Sequence, residues 1–248
     1  MSRADADKYA DRVPSCMYDV LIVGGGVAGL SAATFTARAD FETLVVDSDE
    51  SILRRNAHLE NYPGFPAGVN ARLLLDLMAE GAERAGCERR EGEVVRVARD
   101  DGFTVETADG DRYRADRVIA ATKNAVDYLP DGVEIVDRGK PFLAVDERGR
   151  TDVPGLYAAG RLAGKPHQAI VSAGHGAEVA VTLLEDADDP FYHDWVAPAG
   201  YFTDRGRDLP PGCEEIDDDE RRRREEAARE TMRERFARAH PSASRTNP

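Results

Sequence analysis

The apolar residues near the start of the chain follow a strand, helix and strand pattern. An apolar run over residues 20–23 enters a glycine-rich turn at 24–29, and a helix-like pattern follows. A second apolar run over 44–46 then ends at Asp47. Strand, glycine turn, helix, strand and terminal acid, in this order, form the dinucleotide-binding fingerprint. We therefore predict a β-α-β unit over residues 18–47, and this fingerprint occurs once.

Further along the chain, the periodicity changes several times. Helical spacing predicts a helix over about 71–84, with Asn70 as its N-cap. Residues 93–121 alternate as strands do, with turn signals at 100–102 and 109–110, which indicates an antiparallel ribbon. Two further strands, a turn at Gly149 and an alanine-rich helix follow. The helix is expected over 167–186.

These elements predict one α/β domain. Its fold class is a Rossmann-like, three-layer domain with a parallel central sheet and a small antiparallel ribbon. We place this domain at 18–190, after a flexible lead over 1–17. We expect an irregular aromatic extension over 191–217, and a charged helix with a disordered tail over 218–248.

Each residue of the fingerprint has a physical role. Gly24 permits the tight turn, and Gly26 lets the backbone approach a pyrophosphate. Gly29 allows close packing of helix on strand, and we expect all three glycines at the pyrophosphate. Val27 and Ala28 begin the helix, whose N-terminus favours phosphate. Asp47 is placed to accept hydrogen bonds from a ribose and disfavours a 2′-phosphate; a tight turn without ligand is the alternative.

Composition restricts the partners and the compartment. Asp and Glu total 47 against 33 Lys and Arg, which gives a formal charge of −14, and only four residues are lysine. This favours adaptation to high salt, with an ordinary acidic protein as the alternative. We expect no nucleic-acid partner, no membrane span, and a cytoplasmic location, since the polar start does not resemble a secretory signal.

Candidate catalytic groups are scarce. The three cysteines, Cys16, Cys87 and Cys213, are widely spaced and form neither a C-x-x-C pair nor a zinc cluster, so no metal site is expected. Of these, Cys213 is the thiol to test. His167 and His175 are conceivable proton donors, and structural histidines are the favoured interpretation. The catalytic residues are therefore left unassigned.

Four blocks in order resemble one family. They are residues 23–33 (VGGGVAGLSAA), 60–65 (ENYPGF), 116–122 (DRVIAAT), and 151–160 (TDVPGLYAAG) with the following 168–176. This arrangement is similar to the flavin domain of the thioredoxin reductase-like pyridine nucleotide–disulfide oxidoreductases. The resemblance implies FAD as cofactor, with NAD(P)H as a diffusing electron donor, and a homodimer by analogy.

The resemblance also assigns roles to residues outside the fingerprint. It places Asn61 near the flavin ring and the backbone of Val94 at the adenine. Gly160 and Arg161 belong near the ribityl–phosphate region, and Gln168 begins a helix that favours negative charge. The full set of cofactor residues that we assign is Gly24, Gly26, Val27, Ala28, Gly29, Asp47, Asn61, Val94, Ala121, Thr122, Gly160, Arg161, Gln168 and Ala169.

The chain also departs from that family. Only about twenty residues separate Thr122 from Phe142, where family members insert a complete NAD(P)H domain with its C-x-x-C. Lys123 stands in place of a glycine. Arg161 stands in place of an aspartate, and either approaches the pyrophosphate or points to solvent. These departures argue against thioredoxin reduction more strongly than against flavin binding.

Three functions remain open from the sequence. The first is a compact FAD-dependent oxidoreductase whose electron donor and acceptor are unknown. The second is a non-catalytic flavin- or nucleotide-binding sensor or docking module. The third is an NAD-binding Rossmann protein, which Asp47 permits. The aromatic residues from Phe191 onward either cover the flavin, bind a partner or pack on the core.

Overall fold

The computed structural model describes residues 17–187 and 194–241. The expected flexible lead over 1–16, Cys16, the first aromatic residues of the extension and the tail over 242–248 lie outside these described residues.

A parallel sheet forms the centre of the fold. Its strands β1 (Met17–Val23), β2 (Thr43–Asp47), β3 (Glu88–Glu91), β6 (Arg112–Ala120) and β9 (Leu156–Ala158) lie in the order β3-β2-β1-β6-β9. Strand β1 is central and its residues 20–22 are fully buried, because apolar clusters cover both faces of the sheet. The predicted parallel sheet is confirmed.

Strand β6 pairs with the antiparallel ribbon through its first half and with β9 through its second half. Strands β4 (Val94–Asp100) and β5 (Gly102–Thr107) form a hairpin, and residues 113–115 of β6 extend it. Residues 118–120 of the same strand pair with β9 instead. Gly102 has φ of +91°, a conformation that favours glycine. The ribbon is thus confirmed. Its last part and the neighbouring strand of the parallel sheet are one continuous strand, β6.

Three helices cover the sheet. They are α1 (Val27–Arg38), α2 (Ala71–Arg84) and α3 (Ala169–Asp186). The predicted cap of α2 is confirmed, since Asn70 Oδ1 accepts hydrogen bonds from the backbone N–H groups of Arg72 and Leu73. Helices α1 and α3 pack against each other. The first and the last of the four sequence blocks, 23–33 and 168–176, are therefore in contact.

The segment between β6 and β9 is short. Strands β7 (Ile135–Asp137) and β8 (Pro141–Leu143) form a small antiparallel hairpin. Gly149 then turns the chain with φ of +84°, as its position in the sequence predicts.

The extension after α3 is more regular than the expected irregular stretch. Strands β10 (Trp195–Pro198) and β11 (Cys213–Ile216) pair in parallel. The Glu215 carboxylate accepts backbone hydrogen bonds from Gly200, Phe202 and Thr203, which lower its pKa to about 2. These contacts join residues too far apart for a local sequence pattern to indicate them.

The charged helix α4 (Asp218–Phe236) forms where the sequence predicts it. Arg221 pairs with Glu225 at i,i+4 spacing, at 2.7 Å, and Arg222 pairs with Asp219 at i,i+3 spacing. The end of α4 contacts the domain: Arg235 binds Glu80 of α2 at 2.7 Å, and the Phe236 ring lies 6.2 Å from the Phe65 ring. Within the described ranges, no helix is both long and apolar enough to cross a bilayer.

Candidate functional site

A cavity of about 810 Å³ opens at the carboxyl ends of β1, β2 and β6. This edge of a parallel α/β sheet is where ligands bind by general rule, and the volume suits a large organic ligand. Its walls come from the β1–α1 turn, the end of β2, the connection between β2 and α2, the β3–β4 turn and the segments after β6 and β9.

The β1–α1 turn presents a backbone surface to this cavity. Gly24 has φ of +105°, and Gly26 is the N-cap of α1 without any side-chain cap. No acidic residue lies in the first helical turn. The first N–H groups of α1 therefore have no side-chain partner and face a cavity, which is the arrangement that binds phosphate.

Gly29 supports this turn from behind. A Cβ placed on Gly29 would lie 1.9 Å from the Gly24 carbonyl oxygen and 3.2 Å from the Ile22 side chain. Only glycine permits this approach of helix to strand, as the fingerprint predicts.

Asp47 ends β2 and lines the cavity beside the turn. A Cβ placed on Gly25 would lie 2.5 Å from Asp47 Oδ2, so the carboxylate sits directly against the glycine backbone. The Asp47 carbonyl accepts a hydrogen bond from Gly92 N–H at 3.0 Å. The acid is therefore held at the place where the sequence predicts a ribose contact.

A second chain segment, residues 161–172, contributes Arg161, His167, Gln168, Ala169 and Ser172 to the cavity wall. Gly160 begins a short 3₁₀ helix (Gly160–Ala163), and a Cβ placed on it would lie 2.8 Å from Ala28 Cβ in α1. Helix α3 follows with Gln168 as an N-cap that lacks a side-chain cap. Two uncapped helix N-termini thus open onto one cavity, and each of them favours negative charge there.

Side-chain hydrogen bonds connect the loops around the cavity. Asn61 Nδ2 donates to Gln168 Oε1 at 2.9 Å, which joins the loop before α2 to the start of α3. Thr122 Oγ1 donates to the Ala125 carbonyl and lies 3.0 Å from the hydroxyl of buried Tyr128. Burial raises the pKa of Tyr128, so this hydroxyl stays protonated and available to donate to Thr122.

Two family descriptions match the chain over the segments that build this cavity. Residues 19–58 match "FAD binding domain", and residues 70–176 match "Pyridine nucleotide-disulphide oxidoreductase". The first range contains the glycine turn and Asp47. The second contains Gly160, Gln168 and the start of α3.

The chain is similar to the thioredoxin reductase-like FAD-dependent pyridine nucleotide–disulphide oxidoreductases. A bifunctional thioredoxin reductase/thioredoxin of Mycobacterium leprae is 38% identical over 128 residues, which are 50% of this chain and 28% of that protein. A dihydrolipoyl dehydrogenase of Haloferax volcanii is 35% identical over 208 residues, 79% of this chain and 39% of that protein. The chain thus spans about a third of the length of the curated relatives it matches.

Solved structures agree on the fold. A thioredoxin reductase from Gloeobacter violaceus aligns with a TM-score of 0.64 at 19% identity, over 71% of this chain and 99% of that chain. A thioredoxin reductase from T. acidophilum aligns with a TM-score of 0.57 at 21% identity, over 68% and 98% of the two chains. At these identities, the likeness concerns the fold alone.

The cofactor of this flavoprotein family is FAD, and the residues present fit it. A backbone cradle without side chains, two uncapped helix N-termini and an acid at the end of β2 complement a diphosphate and a ribose. When bound, FAD supplies the electron-transfer chemistry, while these residues supply binding and orientation.

Most of the fourteen residues that we assign to the cofactor line this cavity. Twelve do: Gly24, Gly26, Val27, Ala28, Asp47, Asn61, Val94, Ala121, Thr122, Arg161, Gln168 and Ala169. Gly29 and Gly160 do not, because both are buried: Gly29 lies against the Gly24 carbonyl, and Gly160 against the Ala28 and Ser172 side chains. Gly29 has the packing role that the sequence predicts for it, and contact of all fourteen residues with FAD stays a prediction.

Several cavity residues escape the sequence pattern. Ser48, Ser51, His58 and Glu93 line it beside Tyr128 and the expected set. They lie in loops without periodicity, and the segment after Asp47 carries no signal beyond its position at a strand end.

The aromatic extension does not contribute to the cavity. None of the described residues of the extension, 194–217, lines it. Instead, Trp195 lies 5.5 Å from Phe202 and 4.5 Å from Tyr201, ring centre to ring centre, within the extension itself. Of the three expected roles, covering the flavin therefore finds no support in these residues.

The titratable groups near the site are structural in character. His175 is buried, and its Nδ1 accepts a hydrogen bond from Gly160 N–H at 2.9 Å; burial lowers its pKa to about 4, with Lys165 adding to the effect. Burial also raises the pKa of Cys87 to about 11. His167 lines the cavity, whereas Cys87 and Cys213 do not. Over residues 17–187 and 194–241, no group of three or more His, Cys, Asp or Glu could hold a metal.

Protonation of His175 should make the domain less stable in mild acid. The unfolded histidine binds a proton below pH 6.5 and the folded one only below about 4. Stability is therefore retained above pH 6.5 and falls between pH 6.5 and 4, by up to about 3 kcal/mol. Urea unfolding across this range measures the loss. His175→Asn, whose amide oxygen can accept from Gly160, should remove this part of the pH dependence; an unchanged profile contradicts the assignment.

Arg72 of α2 fixes the loop that forms one wall. Its Nη1 donates to the carbonyls of Arg54 and Asn56 at 2.8 and 2.9 Å, and its Nη2 to Ala57 at 3.3 Å. Arg72→Met keeps the aliphatic stem and removes these bonds. We expect a loss of about 1–2 kcal/mol in the free energy of unfolding, measured in urea.

Arg84→Met is the matched control in the same helix. Arg84 forms an exposed i,i+4 pair with Glu80, so its loss should cost about 0.5 kcal/mol or less. Equal losses for the two variants would show that the loop does not depend on Arg72.

Proposed function

We propose that this chain is a compact FAD-dependent oxidoreductase that works without an inserted NAD(P)H domain or redox disulfide. It takes electrons from diffusing NADH or NADPH, or from a partner protein, and passes them through bound FAD to an acceptor that is unknown. The observation that carries the proposal is the single cavity onto which the glycine turn, Asp47 and the start of α3 all open.

The short segment between β6 and β9 supports the compact form. Residues 121–155 contain the small β7–β8 hairpin and turns, which is too little chain for a nucleotide-binding domain. Neither Cys87 nor Cys213 lines the cavity, and both thiols have a raised pKa, chiefly because of burial. This supports an acceptor other than thioredoxin, since thiol–disulfide exchange needs an accessible thiolate.

Two measurements test the proposal. Purified protein should carry FAD, or bind added FAD, and denaturation should release FAD and not NAD. In an anaerobic stopped-flow experiment, NADH or NADPH should then bleach the flavin absorbance. Absence of FAD binding overturns the cofactor assignment.

A second candidate is a flavin-binding sensor or docking module. The observation that favours it is that neither Cys87, Cys213 nor buried His175, which accepts a hydrogen bond from Gly160 N–H, lines the cavity. If the bound flavin stays oxidised with NADH, with NADPH and with candidate electron-donor proteins reduced by dithionite, the result favours the sensor or docking module over the enzyme. A homodimer, proposed by analogy with the family, is tested by light scattering on the same sample.

A further inference from the structure

Lys123 lies at the edge of the cavity beside the glycine turn. It follows Thr122, whose backbone nitrogen is 3.4 Å from a Cβ placed on Gly24. The lysine is exposed and, among the described residues, makes no ion pair with a carboxylate. In a chain with a net charge of −14, an exposed lysine in the cavity lining brings positive charge to a mainly acidic protein.

Arg161 also lines the cavity and lies next in sequence to a residue that contacts α1. It follows Gly160, which touches Ala28 in the first turn of α1. The Arg161 guanidinium lies 5.1 Å from the centre of the Phe142 ring and is half-buried. Stacking on an aromatic face orients a guanidinium while leaving its N–H groups free to bind an anion. Within the described part of the chain, it too lacks a carboxylate partner.

The cations and the helix act on the same end of the cavity. Lys123 follows Thr122, which lies beside Gly24, and Arg161 follows Gly160, which lies beside Ala28. Gly24 and Ala28 are on either side of Gly26, the uncapped N-terminus of α1. Of the cavity's carboxylates, Asp47 lies against Gly25 of the turn, whereas Glu50, Glu60 and Glu93 belong to the β2–α2 connection and the β3–β4 turn. Two full positive charges and the helix dipole together complement a dianion.

We propose that Lys123 and Arg161 form a side-chain subsite for the diphosphate of the nucleotide cofactor, added to the backbone cradle of α1. The proposal rests on the proposed function, because it takes FAD as the ligand. Of the two alternatives for Arg161, contact with the diphosphate or exposure to solvent, the proposal takes contact with the diphosphate. It gives Lys123 the same role.

Equilibrium binding to the apoprotein tests this subsite, with FAD and ADP-ribose as probes. Lys123→Met and Arg161→Met should each weaken the binding of both probes about tenfold, as expected for loss of one charge-assisted hydrogen bond. Raising KCl should weaken FAD binding to the wild type, and less so to each variant, because salt screens partly exposed charges. Arg161→Lys should recover part of the loss.

Lys140→Met is the matched control. Lys140 is an exposed lysine next to β8 and does not line the cavity, so its removal should leave both affinities unchanged. Circular dichroism melting confirms that each variant is folded. This separates loss of a ligand contact from loss of the Arg161–Phe142 packing.

The outcomes distinguish this inference from the proposed function. If the wild type binds FAD and both methionine variants bind it equally well, the subsite is wrong and the cofactor assignment stands. If FAD affinity falls while ADP-ribose affinity does not, the cations act on the flavin half and the diphosphate subsite is wrong. If the wild type binds ADP-ribose but not FAD, with the predicted losses, the FAD assignment fails and the subsite stands.

Discussion

Replacing Gly176 with alanine should lower the free energy of unfolding by about 3 kcal/mol. A Cβ on Gly176 would lie 2.0 Å from the Ala28 carbonyl oxygen and 2.7 Å from its carbon. Both are backbone atoms at the start of α1, so no side chain can rotate away. Helix α3 would have to move off α1, and this contact lies directly behind the cavity wall.

Gly174 is the matched control two residues earlier in α3. A Cβ there meets nothing within 4 Å, and the position is exposed. Gly174→Ala should therefore raise the stability by about 0.5–1 kcal/mol, since alanine favours the helix over glycine. The helix propensity gain is the same in both variants, so their difference isolates the contact with Ala28.

Urea unfolding of the two variants measures the difference. We expect Gly176→Ala also to bind FAD more weakly, because Ala28 belongs to the first turn of α1 and borders the cofactor cavity. If Gly176→Ala proved as stable as Gly174→Ala, the close packing of α1 on α3 would be wrong.

Asp47→Asn should weaken FAD binding by about 10- to 100-fold. The side chain keeps its shape against Gly25 but loses the charge that a ribose hydroxyl would bind, and hydrogen bonds to charged groups contribute about 1.5–3 kcal/mol. The same change should make the site more tolerant of a 2′-phosphate, since the repelling carboxylate is gone. Titration of apoprotein with FAD, and competition by NAD and NADP, measure both effects.

Asp49→Asn provides the control for charge. Asp49 is two residues away, forms an exposed ion pair with Arg54 and does not line the cavity. Its φ of +58° is one that asparagine also adopts readily. We expect FAD affinity to change less than twofold, and an equal loss for both variants would mean that overall charge, and not contact at Asp47, sets the affinity.

The local part of this fold is readable from the sequence because short-range physics determines it. Periodicity predicts the β1–α1–β2 unit and helix α4, and capping predicts the role of Asn70. Glycine conformation predicts the hairpin turns at Gly102 and Gly110. Each signal lies within a few residues of the feature that it predicts. The same holds for Asp47, whose place at a strand end follows from the length of the apolar run.

The extension shows where such reasoning ends. Its strands β10 and β11 are separated by residues 199–212, and Glu215 stabilises this connection through three backbone N–H groups. No periodic pattern marks a parallel pair of this kind. The expectation of an irregular segment therefore understated its order, because side-chain to backbone bonds of long sequence separation replace a local signal.

The sequence by itself determined the α/β class, the glycine turn with its acid, and the four ordered blocks that imply FAD. Only the tertiary structure decided which residues meet. It packed Gly160 against Ala28 of α1, made His175 a neutral acceptor for Gly160 N–H, and brought Tyr128 to the cavity. These facts depend on contacts between distant segments, and the close approach of α1 to α3 that creates them is a property of packing, not of any one stretch of chain.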